Sequence, residues 1–308
     1  MVPCIPVIAG PTGSGKTKCL LSLSDEFPIS VISADSRQIY RGMDIGTAKP
    51  GKDEQKKCPH YLIDIIDPPD KFSAADFAAG AKDAIHKIMA EDRIPVTAGG
   101  SGLYIKALTE GFFEQGGPDP SVRKELQAFL DSKGPEALFR RLQNADPESA
   151  SEIHPNNSRR VMRALEIFLS TGKTRGFHIS QQKLSNKTSF GNYSIYYLDL
   201  PRKLLYENIN RRVDEMIEKG LVSETENLLS EFGSSKSAPV QTIGYKETAM
   251  FLQGKIDLDK AVYLIKKNTR NYAKRQVTWF RKVTARRFTS TGDLLESLRE
   301  FFKENYAG

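Results

Sequence analysis

Cysteine is scarce in this chain: Cys4, Cys19 and Cys58 are the only three in 308 residues. An odd count without metal-ligand spacing excludes a disulfide framework and a zinc cluster, and points to reduced thiols. Long apolar runs are also missing, and none approaches the roughly 20 residues that cross a bilayer. The N-terminus passes almost at once into an apolar run, Ile5 to Ala9, which leaves no room for a signal peptide. A cytoplasmic location and no membrane partner are therefore expected. There is no internal repeat and no low-complexity segment, which excludes a solenoid and a disordered scaffold. Acidic residues are in the minority, 38 against 45 Lys and Arg, for a net charge of +7. That excess suits a polyanionic partner and equally an ordinary basic protein.

What the chain does have is Gly10-Pro11-Thr12-Gly13-Ser14-Gly15-Lys16-Thr17. It follows the run Ile5 to Ala9 and leads into a helical pattern, Lys18 to Ser24. Strand, glycine-rich turn and helix is the context of a phosphate-binding loop. Glycines let several backbone N–H groups converge on one point, and the helix N-terminus adds partial positive charge there. Lys16 supplies a full charge, and the Thr17 hydroxyl can reach a phosphate-bound Mg2+. Each charge-assisted hydrogen bond contributes about 1.5–3 kcal/mol. The loop specifies phosphate and leaves the chemistry open.

The rest of the chain reads as α/β: a parallel sheet flanked by helices, with an all-helical insertion. Ile29 to Ser33 is a second buried strand ending at Ala34-Asp35-Ser36, where functional groups of open α/β sheets collect. The polar, Gly-containing stretch Gly42 to Lys52 has the character of a functional loop. His60 to Asp67 is strand-like. Ser73 to Asp76 is a capping box that opens a helix to about Glu91, with Phe77, Ala81, Ile85, Ile88 and Met89 as its core face. Ile94 to Ala98 is a fourth strand, and Gly99-Gly100-Ser101-Gly102 a second glycine turn opening a helix at Leu103. Composition shifts at Gly116-Gly117-Pro118. Ser121–Ser132, Pro135–Asn144 and Ser158–Ser170 are amphipathic, and Tyr193 to Leu200 is strand-like again. From Pro201 the pattern is helical: Leu204–Lys219, Val222–Glu231, Lys246–Gln253 and a basic run from Leu258 to Lys282. That run carries Lys266, Lys267, Arg270, Lys274, Arg275 and Arg281 among Tyr263, Tyr272, Trp279 and Phe280. A nucleic-acid surface and a solvated helix over an aromatic core stripe fit it equally. The expected division is a core of residues 1–116 and 193–308 interrupted by a helical domain, 117–192.

Taken together, GPTGSGKT, Ser33–Pro50 (SADSRQIYRGMDIGTAKP) and Ala98–Tyr104 (AGGSGLY) closely resemble the tRNA dimethylallyltransferase (tRNA isopentenyltransferase) family, bacterial type. His154–Glu166, Ile209–Met216, Thr242–Glu247 and Tyr272–Arg281 extend the resemblance over roughly residues 5 to 283. It implies transfer of a dimethylallyl group from dimethylallyl diphosphate to N6 of the adenosine 3′ to the anticodon (position 37) in tRNAs reading codons that begin with U. It further implies that Gly10, Pro11, Thr12, Gly13, Ser14, Gly15, Lys16 and Thr17 bind the donor's diphosphate, with Thr17 holding Mg2+. Asp35 matches the family's general base. Ser101 stands where threonine is usual and keeps the hydroxyl. Arg212, with Arg211 beside it, matches a diphosphate-clamping arginine. An ordinary carboxylate, pKa near ~3.9, accepts the N6 proton only as the new N–C bond makes nitrogen acidic. Asp35, Ser36, Arg37, Gln38, Arg123, Arg159, Arg160, Val161, Met162, Arg163, Gln241, Thr242, Ile243, Gly244, Tyr245 and Lys246 match segments that contact the tRNA anticodon stem-loop. The partners implied are that stem-loop and the prenyl donor, with the enzyme a monomer. A nucleotide or small-molecule kinase on the same loop, and an RNA-binding NTPase switch, are the alternative readings.

Overall fold

The computed structural model describes residues 4–111, 119–185, 192–233 and 242–306. The chain divides into two compact units, Met1–Thr109 with Phe190–Gly308, and Glu110–Ser189. The first unit is built on a six-stranded, fully parallel sheet: β1 (Ile5–Ala9), β2 (Ile29–Ala34), β3 (His60–Tyr61), β4 (Ile94–Gly99), β5 (Tyr193–Leu198) and β6 (Arg286–Phe288). The spatial order is β3-β2-β4-β1-β5-β6. All residues of β1, β2 and β4 are buried, as expected for strands covered on both faces.

Helices cover the two faces. On one, α1 (Lys16–Leu23) packs Cys19, Leu20 and Leu23 into a core with Ile8, Val31, Tyr196 and Phe302. On the other, Phe77, Ala81, Ile85 and Ile88 of α3 (Ala74–Ala90) pack with Ile5, Val7 and Ile32. Ser73 caps α3: its side chain accepts from Asp76 N–H at 3.1 Å while Asp76 accepts from Ser73 N–H at 2.8 Å. Met89 is 36% exposed and leaves the core face, because it lies about 100° round the helix from Ile88. Between them run α2 (Lys52–Lys57) and, after β4, α4 (Gly102–Glu110).

Two strand expectations change. Of His60 to Asp67, only His60 and Tyr61 join the sheet. Leu62 and Asp64 take positive φ, 61° and 54°, and turn the chain away. Ile65 and Ile66 pack instead in a satellite cluster with Ile39, Tyr40 and Met43, so the apolar alternation belonged to that cluster. Residues after Pro201 also include a strand, β6, three residues long with two arginines and therefore without an apolar signal. It pairs with β5, and the Arg286 and Arg287 guanidinium groups lie 5.7 and 4.9 Å from the Tyr196 and Tyr197 ring centres.

The second unit, among its described residues, is all helical: α5 (Pro120–Ala145), α6 (Pro147–Glu152), α7 (Ser158–Thr171) and α8 (Arg175–Ser185). Helix α5 kinks at Gly134, φ 78°, just before Pro135, where proline displaces the helical conformation of its predecessor. Leu126, Leu138, Leu142, Val161 and Leu165 form its core. Returning to the first unit, α9 (Arg202–Glu218), α10 (Leu221–Phe232), α11 (Tyr245–Leu252), α12 (Leu258–Phe280) and α13 (Thr291–Tyr306) complete the chain. No described helix is long and apolar enough to cross a membrane.

At the end of β4 the backbone of β2 comes so close that a Cβ on Gly99 would lie 2.1 Å from the Ala34 carbonyl oxygen. Backbone offers no rotamer to relieve this. Gly99→Ala is expected to destabilise the protein by about 3 kcal/mol, read as a drop in urea midpoint at constant m-value.

Candidate active site

A cavity opens at the carboxyl ends of β1, β2 and β4. Thr12, Lys16, Thr17, Ser33, Asp35, Gln38, Gly99, Gly100, Arg212 and Gln276 line it with polar groups, and Leu20, Val31, Ala48, Pro50 and Ala98 with apolar ones. The strand order explains the convergence. Parallel β2, β4 and β1 deliver Asp35, the second glycine turn and the first to one edge of the sheet. A single cavity therefore has anion-binding, titratable and apolar walls.

The first glycine turn is held in shape by backbone conformation. Gly13 and Gly15 have φ of 79° and 95°, values that side-chain-bearing residues rarely adopt. Gly15 caps α1 without a side-chain acceptor, so the first-turn N–H groups stay available to a ligand. Lys16 Nζ donates to the carbonyls of Gly10 and Pro11, each at 2.8 Å, and to Ser14 Oγ at 3.3 Å. Burial, and then the neighbouring Arg212 cation, push its pKa down to about 7, against a smaller upward pull from Asp35.

Asp35 and Ser101 are each half-committed. Asp35 Oδ1 accepts from Arg37 N–H at 2.8 Å, which fixes the carboxylate as a side-chain turn. Ser101 Oγ accepts from Ser36 N–H at 3.1 Å, so its own hydrogen remains for another acceptor. Ser101 N–H in turn donates to the Ala34 carbonyl at 3.1 Å, tying the two strand ends together. The hydroxyl that Ser101 retains is therefore placed by backbone, without help from a methyl group.

Helix α9 lies against the first glycine turn. Asn208 Nδ2 donates to the Gly13 carbonyl at 3.2 Å, and a Cβ on Gly13 would lie 2.9 Å from Ile209. One turn on, Arg212 reaches the cavity, donating to the Thr47 carbonyl at 3.2 Å. Its buried Nε has no hydrogen-bond partner among the described residues. Burial lowers its pKa, and Asp35 opposes that shift. Arg211 points elsewhere: its side chain is 70% exposed and binds Asn208 at 2.9 Å. Of the two, Arg212 lines the cavity and Arg211 does not.

Three features of the cavity and its supporting loop went unread in the sequence. Glu224 accepts from three successive backbone N–H groups, Asp44 (3.2 Å), Ile45 (2.8 Å) and Gly46 (3.1 Å), and from the Tyr245 hydroxyl at 2.6 Å. It anchors the 42–50 loop, whose Thr47 carbonyl also receives Gln38 Nε2 at 3.4 Å. Gln276 receives Thr12 N–H at 3.0 Å and donates to the Gly100 carbonyl at 2.9 Å. His60 lines the cavity with Nδ1 2.6 Å from the Cys58 carbonyl, and burial lowers its pKa. A readable signal existed for Gln276 alone: it occupies a core-stripe position between Ala273 and Phe280, where an apolar residue is normal.

The RNA-contact expectations divide. Val161 and Met162 are buried in the second unit's core, Tyr245 is buried in a cluster of the first unit, and Thr242 is also buried. Tyr245 instead supports the loop at Gly46. Gln241 lies outside the described residues. Arg159 and Arg160 are exposed at the start of α7. Arg123 and Arg163 share the buried carboxylate of Glu166, at 3.5 and 3.2 Å.

Comparison with known proteins bears on this geometry. The family model described as IPP transferase matches residues 38–283. A tRNA dimethylallyltransferase 1 of Trichlorobacter lovleyi is 44% identical over 287 residues, 92% of this chain and 93% of that protein. The crystal structure of a full-length tRNA isopentenylpyrophosphate transferase from Bacillus halodurans is 40% identical with a TM-score of 0.70, covering 98% of this chain and 97% of that one. A eukaryotic dimethylallyltransferase, solved acting on tRNA, is 28% identical with a TM-score of 0.76, covering 99% of this chain and 77% of that one.

Between about pH 7 and 10.5 the folded protein holds fewer protons at Lys16 than the unfolded chain, so this group's contribution to stability rises with pH across that window. A bound polyanion restores the charged lysine. Inorganic diphosphate is therefore expected to bind with proton uptake at pH 8, its Kd weakening by up to about tenfold per pH unit above neutrality. Calorimetry in buffers of different ionisation enthalpy checks this, and Lys16→Met should abolish the uptake assigned to the lysine.

Proposed function

We propose, since the chain belongs to the tRNA dimethylallyltransferase (IPP transferase) family, that it transfers a dimethylallyl group from dimethylallyl diphosphate to N6 of the adenosine 3′ to the anticodon of tRNA. The observation that carries the donor assignment is the pairing of two cations around one cavity, Lys16 and a buried Arg212 whose Nε has no hydrogen-bond partner among the described residues. Such a site stabilises a polyanion far more than it stabilises itself. The apolar lining from Leu20, Val31, Ala48 and Pro50 suits a short hydrocarbon attached to that anion. A kinase would need room for a nucleoside triphosphate and has no use for that lining, and family membership sets the kinase reading aside.

The adenine leaves its stack to reach the cavity. Its N6 attacks the allylic carbon, that carbon's bond to the diphosphate oxygen breaks, and the electron pair leaves with diphosphate. Lys16, the first-turn N–H groups and Arg212 stabilise the charge where it grows. Ser101 donates its free hydroxyl hydrogen toward the leaving oxygen. Asp35, oriented by Arg37 N–H, receives the N6 proton as the new bond forms.

Mg2+ fits here as an ion shared with the donor. Thr17 lines the cavity, and among the described residues no group of three acidic, His or Cys side chains forms a cage. Thr17 would hold it, and it would neutralise charge on the leaving diphosphate. The reading takes the protein as a monomer, and its free, largely buried cysteines suit a reducing cytoplasm. The arginines of α7 supply the phosphate-binding charge for the anticodon stem-loop.

Mass spectrometry of an unmodified anticodon stem-loop, incubated with protein, Mg2+ and dimethylallyl diphosphate, should show one dimethylallyl group on that adenosine, and none with ATP alone. Loss of the adduct from the wild-type reaction sinks the proposal. In the same assay Asp35→Ala should lower kcat by about 10²–10⁴ while tRNA affinity changes little. Arg159→Ala with Arg163→Ala should make the log Kd versus log salt slope shallower by about 1–2.

A further inference from the structure

The structure assigns to Gln276 a positioning role in the transfer step: its carboxamide clamps the two glycine turns at a fixed separation, and so sets the distance between the diphosphate cradle and Ser101. This rests on the transferase reading. Gln276 belongs to α12, remote in sequence from both turns, and is 7% exposed. Its Oε1 accepts Thr12 N–H at 3.0 Å, and its Nε2 donates to the Gly100 carbonyl at 2.9 Å. One amide thus reads one donor and one acceptor, a pairing that also fixes which end is nitrogen. The fit is close: a Cβ on Gly100 would lie 2.2 Å from Gln276 Nε2 and 3.1 Å from the Gly10 carbonyl oxygen. A side chain at residue 100 would therefore have to displace the amide that lies over it.

The consequence is geometric. Thr12 opens the turn whose far end carries Lys16 and Thr17, and Gly100 precedes Ser101 directly. Parallel β1 and β4 hold the starts of the two turns through Gly10 N–H to Gly99 O at 3.4 Å, a long contact. Beyond the sheet, the Gln276 amide is the side-chain bridge between them among the described residues. Transfer requires Ser101 and the cradle to grip the same leaving group, and misplacement by about 1 Å costs on the order of 10² in rate.

Gln276→Glu gives a test specific to the clamp. Ionised, the carboxylate still accepts from Thr12 N–H but faces the Gly100 carbonyl with no hydrogen to give. Protonated, it reproduces both bonds. Lys16, Asp35, Arg212 and His60 are the titratable and charged groups that share the cavity. They are common to both proteins, so the mutant-to-wild-type ratio of kcat isolates residue 276. That ratio should be at most about one tenth at pH 8.5 and should rise several-fold toward pH 6, with tRNA Kd unchanged. A ratio that stays flat with pH, or a lowered Tm with kcat intact, overturns the role. If Gln276→Glu does not fold, Gln276→Met, which keeps the shape and loses both bonds, should lower kcat by about tenfold or more at unchanged tRNA Kd; an unaltered kcat overturns it. If the wild type itself transfers nothing, the transferase reading fails separately. The clamp is then judged by inorganic diphosphate, whose Kd for Gln276→Glu at pH 8.5 should weaken by about tenfold or more, and equal affinity overturns it.

Discussion

Two positive charges facing one cavity are the constraint on which the rest of the structure depends. Burial disfavours the charged form of both Lys16 and Arg212, and the Arg212 cation lowers the Lys16 pKa further. Neither hydrophobic packing nor chain propensity favours that arrangement. It persists because a parallel sheet fixes one cation at the start of α1 and a separate helix, α9, brings the other against the same turn. Asp35 offsets part of that cost at both cations. The same carboxylate is positioned to take a proton, so its electrostatic and chemical roles coincide.

Around that pair, the reactive groups are held chiefly by backbone. Asp35 is fixed by Arg37 N–H, Ser101 by Ser36 N–H, and Lys16 by two loop carbonyls. Backbone contacts survive sequence change, which explains how serine can stand at residue 101 without losing placement. The 42–50 loop follows the same logic in reverse. There a side chain, Glu224, gathers three consecutive backbone N–H groups and makes an otherwise irregular segment into a fixed wall.

The first glycine turn, β1, β2, β4 and the kinked helices of residues 121–144 were legible because their signals are local: apolar runs, a capping box, and glycine or proline at a break. Asp35 was legible because strand ends in parallel sheets converge. What escaped were long-range relations. Gln276 and Glu224 act across 176 and 178 residues or more, through contacts that no local pattern encodes. The packing of Tyr245 escaped for a related reason. Its motif placed it among RNA-facing residues, yet its ring fills the space under Gly46. The short edge strand β6 was hidden by its arginines, whose guanidinium groups lie over Tyr196 and Tyr197 where aliphatic side chains would have advertised a strand.

The position of β1 in the sheet also governs how this chain must be made. Its two hydrogen-bonding edges are filled by β4 and by β5, and β5 begins only at Tyr193. On a ribosome, one edge of the first strand therefore stays open until the entire helical unit, Glu110–Ser189, has been synthesised. During that interval the helical unit has its own apolar core to collapse around. The sheet has to wait with an unpaired edge exposed to wrong partners. Such a large separation between pairing strands slows folding and makes it the vulnerable stage in the life of the protein.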